Sequence, residues 1–119
     1  MAEELARKPT ERLRFENTYM EIERPLVASL MNSTKVVQIK VAIMTHDRDR
    51  VISNMKKHES DIRSEMLEVM REVDESALSA PGFRKNLAEK LKVATNLVLE
   101  KYEDFGGVEE VMFTEFEVQ

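Results

Sequence analysis

The most regular alternation of apolar and polar positions in the chain lies at residues 35–46, KVVQIKVAIMTH. Successive side chains of an extended strand point to opposite faces, so every second residue shares a face. The pattern therefore predicts a β-strand over residues 35–46, with one face in the core and the other nearer to water. The residues of the predicted core face are Val37, Ile39, Val41 and Ile43.

A second extended segment precedes this strand, at residues 19–30. Pro25 lies within it, and proline is tolerated at an edge strand or a bulge because it cannot donate a backbone hydrogen bond. Asn32, Ser33 and Thr34 then supply a turn. We expect residues 19–30 to form an edge strand that folds back as a hairpin on the next strand.

Two segments after these strands have the periodicity of amphipathic helices. Residues 47–74 carry apolar side chains three, four and seven positions apart, which places them on one helical face. Asp47 precedes them as an expected N-cap. A break at residues 75–82 separates this helix from a second one at residues 83–103, which a glycine pair is expected to end.

The last segment, residues 110–118, returns to the composition of a strand. We expect Phe113 and Phe116 on opposite faces of it. One interpretation is a central strand with one wet face, and the other is a strand whose second apolar face meets another subunit. The second interpretation makes a candidate oligomer or partner surface of Phe113, Glu115, Phe116 and Glu117.

The order strand, strand, helix, helix, strand is typical of an α+β domain. We predict a small antiparallel or mixed sheet with two amphipathic helices packed on it. A chain of 119 residues with 42% apolar residues suits one folded domain. Its net charge of −5 offers no positive field for nucleic acid, and no apolar run approaches the roughly twenty residues of a membrane-spanning helix.

Few side chains have the spacing that catalysis or metal binding needs. The chain has no cysteine, and neither His46 nor His58 has a second ligand at a recognised metal spacing. His58 and Asp61 have the residue types of a hydrolase, but no nucleophile turn accompanies them. We therefore predict no catalytic, cofactor-binding or metal-binding residue.

Several segments together form a recognisable pattern. RPLVASL, VVQIKVAIMTHD and the SAPGF break at residues 79–83 precede VMFTEFEVQ at residues 111–119. The last segment contains, in this order, a phenylalanine, a threonine, a glutamate, a second phenylalanine and a final glutamine. The pattern resembles the FliL family of flagellar basal-body-associated proteins, and it covers the chain from about Tyr19 onward.

The resemblance implies a fold, a location and partners. FliL proteins resemble the stomatin/prohibitin (SPFH) fold and have a periplasmic domain anchored by one transmembrane helix to the bacterial inner membrane. By this resemblance, residues 1–16 are a juxtamembrane lead-in, helical or frayed, and residues 17–119 are the periplasmic domain. The family associates with the basal body and with stator proteins of the MotA/MotB or PomA/PomB type, assembles into rings, and supports torque and motility without catalysis or cofactors.

An alternative function also fits the residues. Met55, Met66 and Met70 share one helical face, where methionine either packs in a core or lines an adaptable binding space. A small ligand-binding α+β domain would use a methionine-lined pocket between helices and sheet.

Overall fold

The computed structural model describes residues 16–119 and shows, within them, a four-stranded antiparallel sheet with three α-helices on one face. The predicted α+β fold is confirmed, whereas its likeness to the SPFH fold stays a prediction. The predicted lead-in segment lies outside the described residues, apart from Glu16. In chain order the elements are β1 (Thr18–Glu21), β2 (Leu26–Ser29), β3 (Val36–Thr45), α1 (Arg48–Lys57), α2 (Glu59–Arg71), a 3-10 helix (Glu75–Ser79), α3 (Phe83–Glu103) and β4 (Val108–Val118).

β3 is the central strand of the sheet. β4 runs antiparallel along one of its edges, from Thr45 to Val37 of β3. β1 and β2 share the other edge, β1 opposite residues 42–45 and β2 opposite residues 36–39. The predicted strand at residues 35–46 is therefore confirmed, and it is paired on both edges.

The predicted edge strand is interrupted around Pro25 and forms β1 and β2. Proline has no N–H to donate to the sheet. The guanidinium of Arg63 on α2 donates to the carbonyl oxygen of Arg24 at 2.8 Å and to that of Pro25 at 3.0 Å. The carbonyl groups at the interruption therefore have hydrogen-bond donors, and these bonds connect the sheet edge to α2.

The core lies between the inner face of β3 and the helices. The four predicted core residues of β3 are each at most 3% exposed, which confirms that face. Burying one such side chain contributes about 1.5–3 kcal/mol. The helix residues that complete the core, each at most 1% exposed, include Ile62, Met66, Met70, Leu91 and Leu99.

The prediction of one helix over residues 47–74 is wrong, because the structure has α1 and α2 separated at His58. Met55 and Ile62 are seven residues apart, so both fall on the core face whether or not the helix continues between them. His58 stands where a continuous helix would place a core residue. Its backbone leaves the helical region, at φ −112° and ψ 25°, and its ring bonds with Glu103 on α3.

The ends of these two helices also differ from expectation. Asp47 precedes α1 but makes no side-chain cap hydrogen bond, and its N–H donates to Thr45 Oγ1 at 3.0 Å. α2 ends at Arg71, three residues early, because Asp74 starts the 3-10 helix. The Asp74 carboxylate accepts from the N–H of Ser76 at 3.0 Å.

α3 confirms the predicted helix at residues 83–103, and the junction after it positions β4. The helix ends one residue before Asp104, whose left-handed φ of 56° gives the turn that the glycine pair was expected to give. Gly107 is nevertheless required, because its φ is 81° and a Cβ there would lie 2.6 Å from Val51. The Asn96 amide donates to Val108 O at 2.8 Å and accepts from Val108 N at 3.0 Å.

Polar contacts join the β2–β3 turn to the 3-10 helix. Asn32 donates to the Asp74 carboxylate at 3.0 Å, Ser33 donates to Glu75, and the Lys35 ammonium lies 3.3 Å from Glu75. The hydrogen bonds from Asn32 and Ser76 lower the pKa of Asp74. The hydrogen bond from Ser33, followed by the contact with Lys35, lowers the pKa of Glu75 below its ordinary value of 4.5.

Substitution of Ile39 by aspartate tests the inner face of β3. Ile39 is 0% exposed, so Ile39→Asp buries a charge without a partner and costs more than about 4 kcal/mol, enough to unfold most of a marginally stable domain. Lys40→Asp, on the opposite face of the same strand, serves as the control and is expected to remain folded. Circular dichroism measures both, and a folded Ile39→Asp variant would contradict the assigned face.

Glu75→Gln tests the turn cluster through pH. A carboxylate whose pKa is lowered in the folded state stabilises the fold above its ordinary pKa, and this contribution is lost as the pH falls through the lowered value. Glu75→Gln should therefore be less stable than the wild type near pH 7, and the difference should shrink as the pH falls below 4.5, the ordinary pKa of Glu75, and through the lowered pKa of the folded state. Urea unfolding across this range measures it, with Glu100→Gln on α3 as the control. A difference that does not change with pH would count against the cluster.

Candidate functional site

The face of the sheet turned away from the helices, here called the outer sheet face, is acidic. Directly paired residues of neighbouring strands share a face, so the register with β3 identifies its side chains. Its charged residues are Glu21, Glu110, Glu115, Glu117 and Lys40, four carboxylates against one ammonium, which gives a net charge of −3. Its apolar residues include Tyr19, Val27, Ala42, Met44 and Met112.

A β-bulge in β4 changes which residues lie on this face. The register of β4 on β3 skips Thr114. Because one residue is skipped, Phe113 and Phe116 lie on the same inner face, opposite Val41 and Ile39, and the prediction that they occupy opposite faces is wrong. Their rings meet edge to face, with centroids 5.3 Å apart.

The two phenylalanines therefore pack within the domain. Phe116 also meets Phe83 of α3 edge to face at 6.1 Å, and the Arg84 guanidinium lies 4.4 Å from its ring centroid. Both phenylalanines are only partly exposed. Of the four residues of the predicted partner surface, Glu115 and Glu117 lie on the outer sheet face, and their role in binding stays a prediction.

α1 carries a surface of the opposite charge, here called the basic α1 surface. Its exposed charged residues are Arg48, Asp49, Arg50, Lys56 and Lys57, four cations against one carboxylate, which gives a net charge of +3. The Arg50 guanidinium lies 3.8 Å from the centroid of the Phe105 ring. The apolar residues of the same helix, Val51 and Met55, are buried.

His58 has structural partners. Its Nε2 lies 2.6 Å from a carboxylate oxygen of Glu103, and its ring stacks on Tyr102 with centroids 4.9 Å apart. Hydrogen bonds from His58 and then Lys57 lower the pKa of Glu103 below its ordinary value of 4.5. These contacts join the break between α1 and α2 to the end of α3.

The described part of the chain contains no group of three or more histidine, aspartate or glutamate side chains placed to hold a metal ion. Nδ1 of the second histidine, His46, is buried without a hydrogen-bond partner in residues 16–119. Asp61, which together with His58 has the residue types of a hydrolase, lines a groove beside α3.

That groove runs between α2 and α3 and has a volume of about 1060 Å³. We call it the α2–α3 groove. No methionine lines it. Met55, Met66 and Met70 are instead buried in the core, at most 2% exposed, so the hypothesis of a methionine-lined pocket is wrong.

Exposure of apolar α3 residues at the mouth of this groove was not predicted from the sequence. Val93, Leu97 and Tyr102 of α3 are 49%, 60% and 48% exposed. The signal was a second apolar spacing on this helix, with Val93 and Leu97 four residues apart. This spacing indicates that α3 is apolar beyond its core face. It does not indicate the distance between α2 and α3, on which the groove depends.

No helix among the described residues is both long and apolar enough to cross a membrane.

Comparison with known proteins identifies the family of the chain. The search of curated proteins gave no match. The model of the family described as flagellar basal body-associated protein FliL matches residues 19–119, which is most of the chain. The chain therefore belongs to the FliL family of flagellar basal-body-associated proteins.

Proposed function

We propose that this domain is a non-enzymatic accessory of the flagellar motor that associates with the stator and supports torque generation and motility. The family match over residues 19–119 is the observation that carries this proposal. We further propose that it lies in the periplasm, anchored to the inner membrane in the full-length protein. Its copies would form a ring around the stator, an ion-conducting unit built of proteins of the MotA/MotB or PomA/PomB type.

Two unlike surfaces support ring formation. A ring of identical subunits needs a heterologous interface, in which one surface of each copy meets a different surface of the next. The outer sheet face has a net charge of −3 and the basic α1 surface has a net charge of +3. The outer sheet face of one copy would attract the basic α1 surface of its neighbour. Glu115 and Glu117 belong to this proposed interface.

The strength of such an interface depends on anchoring. Exposed ion pairs contribute only about 0–1 kcal/mol each, so the isolated domain should associate weakly. Anchoring in one membrane holds the copies at a high effective concentration, which favours contacts that are weak in dilute solution. We therefore expect rings on a membrane surface and mostly single copies in solution.

Charge reversal tests the ring and its function together. Glu110→Lys/Glu117→Lys reverses two exposed charges of the outer sheet face and should repel the basic α1 surface. In cells whose own gene is deleted, the full-length variant should fail to restore swimming in viscous medium and should retain fewer stators at the motor. On vesicles, the tethered variant should give fewer cross-linked multimers than the wild type.

A second reversal controls for unfolding. Adding Arg48→Glu/Lys56→Glu on α1 should restore multimers and motility, because the two surfaces then attract again with exchanged signs. Glu100→Lys, an exposed residue of α3, should behave as the wild type. If deletion of the gene leaves swimming and stator retention unchanged, the proposed function is wrong. If the first reversal leaves multimers unchanged, the proposed interface is wrong.

A further inference from the structure

The α2–α3 groove is lined by exposed apolar side chains. Three of the exposed large apolar side chains, Val93, Leu97 and Tyr102, lie on α3 along this groove. Val69 of α2 and Ala94 of α3 are partly buried beside them. Contiguous apolar surface of this kind, rimmed by polar residues, marks interaction sites.

The shape of the groove fits a helix better than a small molecule. Its walls are α2, about 20 Å long, and α3, about 31 Å long. The contact between His58 and Glu103 puts the start of α2 beside the end of α3, so the two walls run antiparallel. The volume of about 1060 Å³ lies at the upper limit of small-molecule sites, which is about 1,000 Å³. A long apolar groove between helices is the geometry that accepts the apolar face of a third helix.

The charge around the groove selects a cationic partner. Its carboxylates are Asp61, Glu65, Glu72, Asp74 and Glu89, and its ammonium groups are Lys90 and Lys101, so the lining has a net charge of −3. Three of the carboxylates, Asp61, Glu65 and Glu72, are exposed along one wall. Positive charges beside the apolar face of a partner would therefore be attracted to that wall.

Within the described part of the chain, no surface of a second copy outside the groove itself combines an apolar helix face with positive charge, as the groove requires. Tyr19 and Val27, which are exposed apolar residues, lie on the outer sheet face, where the charge is also negative. α1 is basic, but Val51 and Met55 are buried in its own core, and Ile52 is the one partly exposed large apolar residue left on this helix, which is too little to fill another groove. No other surface of the described residues matches the groove in both shape and charge, which favours an occupant from another protein.

We propose that the α2–α3 groove docks the apolar face of a cationic amphipathic helix from another protein. Apolar side chains spaced i, i+3, i+4 and i+7 would pack on Val93 and Leu97. Lysine or arginine at the edges of that helix would pair with Asp61, Glu65 and Glu72. This inference goes beyond the proposed function, because it uses neither the outer sheet face nor the basic α1 surface.

Fluorescence anisotropy with a synthetic peptide tests the proposal on the full 119-residue chain. The probe is a labelled helix of about 15 residues with leucine at i, i+3, i+4 and i+7 and lysine and alanine elsewhere. A second peptide replaces every lysine with glutamate, and a third has the composition of the first in scrambled order. We expect saturable binding of the first peptide and at least about tenfold weaker binding of the other two.

Matched variants locate the binding site. Leu97 is 60% exposed, so Leu97→Arg should leave the fold intact, and it should weaken binding by about tenfold or more. Glu65→Lys should weaken binding severalfold. Val27→Arg changes an apolar residue of the outer sheet face that is 50% exposed, and it should bind like the wild type. Circular dichroism checks that each variant is folded.

Three results would overturn the proposal. Equal binding of the ordered and scrambled lysine peptides would show attraction by charge alone. Unchanged binding by Leu97→Arg would place the peptide elsewhere. Loss of self-association in Leu97→Arg, with no peptide binding to the wild type, would make the groove a contact between copies. The proposed ring interface is tested by other residues, so its failure would leave these measurements unaffected.

Discussion

The backbone hydrogen bonds along both edges of β3 are the constraint on which the other elements depend. β4 occupies one edge and the interrupted strand β1–β2 occupies the other, so β3 alone connects the strands of the sheet in the described residues. The side chains of β3 alternate between the two faces of the sheet, and each residue paired with β3 lies on the same face as its partner. A slip of one residue would move a whole apolar set to the wrong face, so the core and the surfaces are fixed by the same register.

This register separates surfaces of different charge. The outer sheet face is acidic because three carboxylates of β4 are paired opposite the outward-facing residues of β3. α1 is basic on its exposed side because Val51 and Met55 point into the core and most of its other side chains are charged. The α2–α3 groove is acidic and apolar, and it is left open on the helical side. The same fold can therefore present one pair of surfaces to its own copies and a third surface to a different protein.

Local periodicity predicted β3 and α3 because each repeats its pattern over many residues. The break at His58 could not be predicted, since Met55 and Ile62 keep helical spacing across it and the partner of His58 there, Glu103, is distant in sequence. The shared face of Phe113 and Phe116 depends on a bulge against β3, which a single strand does not reveal. The groove depends on the distance between two helices. The family was recognisable from the sequence because its motif, which ends at residues 111–119, is defined by the order of the residues and not by contacts between distant segments.

Nuclear Overhauser contacts between the aromatic rings of Phe113, Phe116 and Phe83 test the register of β4 most directly. With the bulge at Thr114, the Phe113 and Phe116 centroids lie 5.3 Å apart and the Phe116 and Phe83 centroids lie 6.1 Å apart, so both pairs should give cross-peaks. In a regular strand, three residues rise about 10 Å and Phe113 and Phe116 would point to opposite faces. Absence of a cross-peak between Phe113 and Phe116, together with contacts from Glu115 to the core, would contradict the account.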